Sequence, residues 1–164
     1  MKLVEVEVRK FKNIVGSSFE VEPDVTCLVG KNGSGKTASL HALHRLLPAE
    51  GEVSFDVHSQ YPAWLEKQDR LSGKDLDKAQ PIRATFTFED DEVDQIEQRF
   101  GPNTLQKERV VLARNYNGNL KRGLPLDEGA FVEHVIERIE WPWGTKTPAN
   151  EFDTVAELRQ YAKD

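Results

Sequence analysis

At 164 residues the chain is long enough for one domain and too short for two comfortable ones, and its 38% hydrophobic and 30% charged residues read as a water-soluble globular protein. A net charge of −6 excludes a globally basic nucleic-acid binder but leaves room for a local basic patch. The single cysteine, Cys27, allows no disulfide within the chain, which fits a reducing cytoplasm, and no run is apolar enough to span a bilayer, so no membrane partner is expected.

Residues 3–11 alternate, with Leu3, Glu5, Glu7 and Arg9 on one parity and Val4, Val6 and Val8 on the other, the pattern of a half-buried strand. Residues 13–18, centred on Gly16, read as a turn, and Ser18-Phe19-Glu20-Val21-Glu22 alternates again, so the two strands are expected to pair as an antiparallel hairpin. Pro23-Asp24 breaks the pattern. Val25-Thr26-Cys27-Leu28-Val29 is a short apolar run suited to a buried strand, with Cys27 a small core residue inside it.

Gly30-Lys31-Asn32-Gly33-Ser34-Gly35-Lys36-Thr37 follows, and it matches G-x-x-x-x-G-K-[ST] at every defined position. The glycines permit backbone conformations closed to residues with a Cβ, so that successive N–H groups turn inward on an anion. Lys36 is expected to reach the β- and γ-phosphates of a nucleotide, and the Thr37 hydroxyl to ligate Mg²⁺. Residues 38–47 carry Leu40, Leu43, Leu46 and Leu47 at helical spacing before Pro48, so a helix leaves the loop with its positive dipole end on the anion, beginning near Ala38.

Two strands before the P-loop strand separate this order from that of small P-loop kinases. The stretch Val8-Arg9-Lys10-Phe11-Lys12-Asn13, the run 27–37 and Leu40-His41-Ala42-Leu43 together resemble the ABC-type ATPases, and within them the branch holding RecF, the structural-maintenance-of-chromosomes proteins and the OLD-family nucleases. The likeness covers about the first 50 residues. It implies that Lys12 and Asn13 approach the nucleotide from the side, where the residues alone also allow a solvated strand end. It also implies a Gln, or in the OLD branch often an acidic residue, after the P-loop helix that contacts Mg²⁺ and the attacking water. Gln60 is the residue at a plausible place, and the alternative is a surface loop whose Tyr61 and Trp64 tuck against the core.

Beyond the P-loop helix, residues 52–57 form a strand candidate, and residues 66–80 read as a charged, exposed connection or short helix. Within it, Leu71-Ser72-Gly73-Lys74-Asp75 echoes the ABC signature, but Pro81 leaves no room for the helix a signature needs. Residues 84–88 followed by Glu89-Asp90-Asp91-Glu92 imitate a Walker B strand. The alternation of Ala84, Phe86 and Phe88 with Thr85 and Thr87 makes one face wet, and the acids suit a helix start with Asp90 as cap. Gly101-Pro102 ends that helix. Residues 109–124 read as a basic hairpin, with Asn117-Gly118 as its turn and Tyr116 at its tip, which reads first as a solvated edge kept from aggregating by its charges and second as a surface for a phosphate backbone. Residues 127–140 form an amphipathic helix with Phe131, Val132, Val135, Ile136 and Ile139 on one stripe and Asp127 as cap. Trp141-Pro142-Trp143-Gly144 breaks it, residues 145–151 are loop, and Asp153 or Thr154 caps a last helix through Tyr161 that lacks a stop signal.

The fold class expected is α/β, an ABC-ATPase-like N-terminal P-loop lobe with antiparallel β structure before and after the P-loop helix. Its organisation is residues 1–50 with the P-loop, a β-rich polar insert over 51–126 and helices over 127–164. The resemblance implies a cytoplasmic ATPase lobe of a longer protein that binds ATP or ADP with Mg²⁺, dimerises on ATP and works on DNA. In it Lys36 is catalytic, and the signature and Walker B acids lie further on. The isolated chain is then expected to hydrolyse poorly. Two other classes remain open: a self-contained phosphotransferase with Arg83, Arg109 or Arg114 as lid arginines, and a non-catalytic, nucleotide-gated assembly module using the helix over 127–140.

Overall fold

The computed structural model describes residues 1–48, 54–139 and 152–161. Strands β1 (Lys2–Phe11), β2 (Ile14–Glu20), β3 (Ile82–Thr87), β4 (Arg109–Arg114) and β5 (Leu120–Gly123) form one sheet in the order β2-β1-β3-β4-β5. The ladders of β1 with β2, β1 with β3, and β4 with β5 are antiparallel. The registers Val6↔Ala84 and Val8↔Ile82 put the buried parities of β1 and β3 side by side, while Glu7↔Arg83 pairs opposite charges on the wet face. Helix α1 (Lys36–Leu46) packs on β1 and β3 through buried Ala38, Ala42 and Leu46. Together these elements are the antiparallel β structure around a P-loop helix expected of an α/β P-loop ATPase lobe.

Contacts divide the chain into two units, Met1–Thr87 with Val110–Leu124, and Phe88–Arg109 with Pro125–Asp164. The first holds the sheet, α1, α2 (Val57–Gln60) and α3 (Ala63–Leu71), followed by a 3-10 turn at Leu76–Lys78. The second holds α4 (Asp90–Phe100), α5 (Glu128–Arg138) and α6 (Val155–Tyr161). Val132, Ile136 and Leu158 are its buried centre, with Val135, Phe152 and Val155 packed around them. Gly101 ends α4 at φ +107°, and a Cβ there would lie 2.6 Å from the Cβ of His134, so both the conformation and the close approach require glycine.

Several boundaries differ from expectation for identifiable reasons. The first hairpin turns at Lys12-Asn13, not around Gly16, because Lys12 takes φ +54° and Phe11 pairs directly with Ile14; Gly16 lies inside β2 opposite Arg9. Helix α4 is capped by Glu89, one residue ahead of Asp90, because Glu89 and Glu92 form a reciprocal capping box. Asp127 caps α5 as expected, its side chain accepting from the Ala130 N–H, but Ile139 is exposed beyond the helix end. Of the strand expected over 52–57, residues 52 and 53 lie outside the described residues. Val57 instead opens α2, because the Asp56 side chain caps it by accepting from the N–H groups of His58 and Ser59. The expected helix break at 141–144 and the loop at 145–151 also lie outside the described residues.

The largest correction concerns residues 25–29. They lie in no strand, Val25 is 73% and Val29 92% exposed, and Cys27 is exposed instead of being a core residue. A strand buried on both faces needs a layer packed on each face and a neighbouring strand to take its backbone hydrogen bonds. Here the alternating strands satisfy one another in the antiparallel sheet, and no strand among the described residues pairs with this run. We therefore expect a thiol reagent to modify Cys27 of the native chain at a rate close to that of a free thiol. Modification that required denaturant would place residues 25–29 in a buried strand after all.

Candidate functional site

The loop over residues 30–35 opens directly into α1, and two of its glycines hold left-handed backbone, Gly33 at φ +79° and Gly35 at φ +101°. Gly35 occupies the N-cap position, so no side chain caps the helix, and the first turn of α1 carries no acid. The free N–H groups of that turn and the positive end of the dipole therefore face the loop without competition. A Cβ on Gly35 would also come within 2.8 Å of the Ile14 Cγ1, so the turn packs against β2 at glycine distance. The Lys36 ammonium donates to the carbonyls of Gly30 (2.8 Å) and Lys31 (2.9 Å), which draws it over the loop. Thr37 is exposed at the mouth. This is the donor set an anion of the phosphate class requires: free backbone N–H groups, a cation on a flexible stem and a hydroxyl beside them.

Lys12 and Asn13 close one side of this mouth. A cavity of about 500 Å³ is lined by both of them together with residues 32–38. The Asn13 side-chain amide donates to the Gly33 carbonyl, and Lys12 Nζ lies 3.2 Å from His41 Nδ1 on α1. A second cavity, about 630 Å³, lies between β2, residues 27–30 and the start of α1.

The backbone that delivers Lys12 is strained. Both Lys10 (φ +49°) and Lys12 (φ +54°) are left-handed, which costs a residue bearing a Cβ about 1–2 kcal/mol each. Several bonds hold them there. The Lys12 N–H donates to the Gln60 carbonyl at 2.5 Å, and the Tyr116 hydroxyl donates to the Lys10 carbonyl at 2.6 Å. Lys10 Nζ donates to Asp69 at 2.6 Å, and Asp69, only 3% exposed, also accepts from Lys74 Nζ and the Tyr61 hydroxyl at 2.6 Å each. Lys10 above all, then Lys74 and Tyr61, hold the Asp69 carboxyl well below the usual carboxylate range. Burial, reinforced by Asp69, pushes the Tyr61 phenol up, and burial does the same to Tyr116, so both stay protonated donors. Phe11 is fully buried between the two lysines and meets Phe55 edge-on at 5.6 Å, and Phe55 meets Tyr116 at 5.7 Å.

The site residues expected from sequence fall into two groups. Gly30, Lys31, Asn32, Gly33, Ser34, Gly35, Lys36, Thr37 and Ala38 come together with Lys12 and Asn13. Gln60 does not join them: its side chain accepts from the Asp56 N–H at 3.2 Å within the short helix α2, and only its backbone carbonyl touches Lys12. Tyr116 is not an exposed hairpin tip but 3% exposed, and Arg114 donates to the carbonyls of Leu46 and Gly118, so neither is free to contact an external phosphate. The signature lookalike at 71–75 is a turn whose Lys74 serves Asp69, and the acids at 89–92 begin α4. Sequence reasoning missed Lys10, Asp69 and Tyr61. Asp69 sat in a run of charges that read as exposed, and no local signal marked it.

Comparison with known proteins places these features. A family model described as an AAA ATPase domain matches residues 1–139. "DNA replication and repair protein RecF" of Marinomonas sp. (strain MWYL1) is 46% identical over 46 residues, 28% of this chain and 12% of that protein. RecF of Porphyromonas gingivalis (strain ATCC 33277) is 46% identical over 46 residues, covering 28% and 13%, and that of Chlorobium luteolum is 43% identical over 44 residues, covering 27% and 12%. The chain thus spans only about an eighth of the length of these relatives. A solved structure described as "Structural biochemistry of ATP-driven dimerization and DNA stimulated activation of SMC ATPases" overlaps 76% of this chain and 69% of its own, at 16% identity and a TM-score of 0.44.

Two outcomes follow from this geometry. Gly35→Ala forces a left-handed alanine against Ile14 and should lower stability by about 1–3 kcal/mol in denaturant unfolding, with Ile14→Ala relieving part of the clash. Asp69, facing Lys10, Lys74 and Tyr61, has a folded pKa below its unfolded one, so its stabilisation is present above the unfolded value and is lost as pH falls through the folded value. The loss of Tm between about pH 6 and about pH 2 should therefore be shallower in Asp69→Asn than in the parent chain.

Proposed function

The chain belongs to the AAA ATPase domain family, and from that premise we propose that it binds ATP or ADP with Mg²⁺ through residues 30–38, flanked by Lys12 and Asn13. The observation that carries this reading is the uncapped N-terminus of α1, presented behind two left-handed glycines with Lys36 at the first helical position. Backbone N–H groups of the loop and the first turn would hold the phosphates. Lys36 would exchange the Gly30 and Lys31 carbonyls for β- and γ-phosphate oxygens and stabilise the charge that develops on the γ-phosphoryl group during transfer. The Thr37 hydroxyl would be the protein ligand to Mg²⁺, with no part for Gln60. Bound Mg²⁺ supplies charge neutralisation at the phosphates.

The site is half of an ATPase. No acidic pair among the described residues ends a strand beside the loop: the acids at 89–92 are committed to a helix start. Val25, Cys27 and Val29 are exposed, and residues 27–29 line a cavity of about 630 Å³. The acids that a complete ATPase site requires come from outside the described residues. A role in DNA replication or repair is proposed from the likeness over 46 residues to RecF, and ATP-dependent dimerisation from the resemblance of the P-loop region to the ABC-type ATPases; both concern a full-length protein of that kind.

Titration with a fluorescent ATP analogue plus Mg²⁺ tests the reading directly. Lys36→Ala should weaken binding at least about tenfold by removing the charge-assisted bonds, and Thr37→Ala should remove most of the Mg²⁺ dependence. Equal affinity of the Lys36→Ala variant and the parent chain would overturn nucleotide binding. Steady-state turnover by the chain alone should be close to background, and strong turnover abolished by Lys36→Ala would overturn the half-site.

A further inference from the structure

Asp69 lies on α3, outside the lining of the P-loop cavity, yet it is the buried end of a chain of contacts that reaches that cavity. Its two carboxylate oxygens take three donors, Lys74 on one and Lys10 with Tyr61 on the other, so its position is settled independently of the nucleotide loop. Lys10 is tied to it at the side chain and to the Tyr116 hydroxyl at the carbonyl. Two residues on, Lys12 is tied to Gln60 by its N–H, and its ammonium and the neighbouring Asn13 amide reach His41 and Gly33. Left-handed backbone at two lysines persists only where the surroundings over-determine it. Apolar packing in place of a buried ion pair is often neutral or stabilising, so stability alone does not account for this charged anchor.

We propose that Asp69 is a positioning residue for the nucleotide site: through Lys10 it sets the left-handed turn that delivers Lys12 and Asn13 to the glycine loop. The segment 56–74 is then part of the nucleotide-binding apparatus without touching nucleotide. The inference rests on the reading that the loop binds nucleotide, and it adds that affinity is governed from a carboxylate outside the cavity.

The test is a double-mutant cycle on the whole chain, reading affinity for a fluorescent ATP analogue with Mg²⁺ and Tm on the same samples. Asp69→Asn should weaken binding by about 5- to 10-fold, Lys12→Ala by a similar factor, and Asp69→Asn should cost the Lys12→Ala background much less than it costs the parent, the remainder passing through Asn13. A purely structural Asp69 would lower Tm while leaving the affinity of the folded protein unchanged, or would weaken the parent and Lys12→Ala backgrounds equally, and either result overturns the inference. Tyr116→Phe removes one hydroxyl and leaves Asp69 and its three donors intact, so it keeps the test open if Asp69→Asn does not fold. It should weaken binding by about threefold in the parent background and by clearly less with Lys12→Ala, and unchanged affinity in the parent overturns the inference. Lys36→Ala separates the two readings. If it binds as the parent does, nucleotide binding fails and the inference with it. If it loses binding while Asp69→Asn and Tyr116→Phe keep theirs, nucleotide binding stands and the positioning role falls.

Discussion

The chain reverses direction between Phe11 and Ile14 within two residues, and much of the first unit is arranged to hold that reversal. Lys12 adopts left-handed backbone without glycine's freedom, and Lys10 does so two residues earlier, inside what would otherwise be an uninterrupted strand. The carbonyl of Gln60, the hydroxyl of Tyr116 and the carboxylate of Asp69 come from three separate parts of the chain to fix it. The turn sets where β2 starts, and β2 contributes Ile14, the side chain that Gly35 meets so closely. A constraint in the first hairpin thereby reaches the first turn of α1, where the uncapped N–H groups are.

Aromatic packing supports the same constraint from below. Phe11, Phe55, Tyr116 and Tyr61 form a run of ring contacts of 5.6 to 5.7 Å, so the side chain between the two left-handed lysines sits in a rigid apolar setting. Both tyrosine hydroxyls face polar partners while their rings stay in this cluster. Hydrophobic burial fixes the rings, and each fixed ring places a donor where backbone or carboxylate needs one.

The exposed apolar run at 25–29 reads differently once the sheet is known. Its composition belongs to a strand covered on both faces, whereas β1 and β3 alternate and satisfy a sheet with one wet face. Two kinds of strand cannot share one antiparallel ladder without exposing valines, and here Val25 and Val29 are the ones left out. The loop they lead into is intact regardless, because its conformation depends on glycines and on α1, not on a ladder.

How much could be read in advance depended on the range of the interaction. The loop at 30–37, the alternation of β1 and β3, the Asp127 cap of α5 and the Gly101 end of α4 were legible, because each is decided by residues within a few positions of one another. The absence of a Walker B strand at 84–92 was legible for the same reason: alternation signals a wet face. The anchoring of Lys10 by Asp69 spans 59 residues and that by Tyr116 spans 106, and no local pattern in a charged helix or a basic hairpin distinguishes a buried partner from a solvated one. Gln60 shows the same limit from the other side: its place in the chain suited a metal contact, but a local cap with Asp56 took its side chain. The sequence by itself determined that this protein carries a glycine-rich loop opening into an uncapped helix start, because glycine freedom and helix polarity are local properties. Only the tertiary structure decided which distant carboxylate and hydroxyls hold the flank of that loop, because pairing across the fold depends on which surfaces meet.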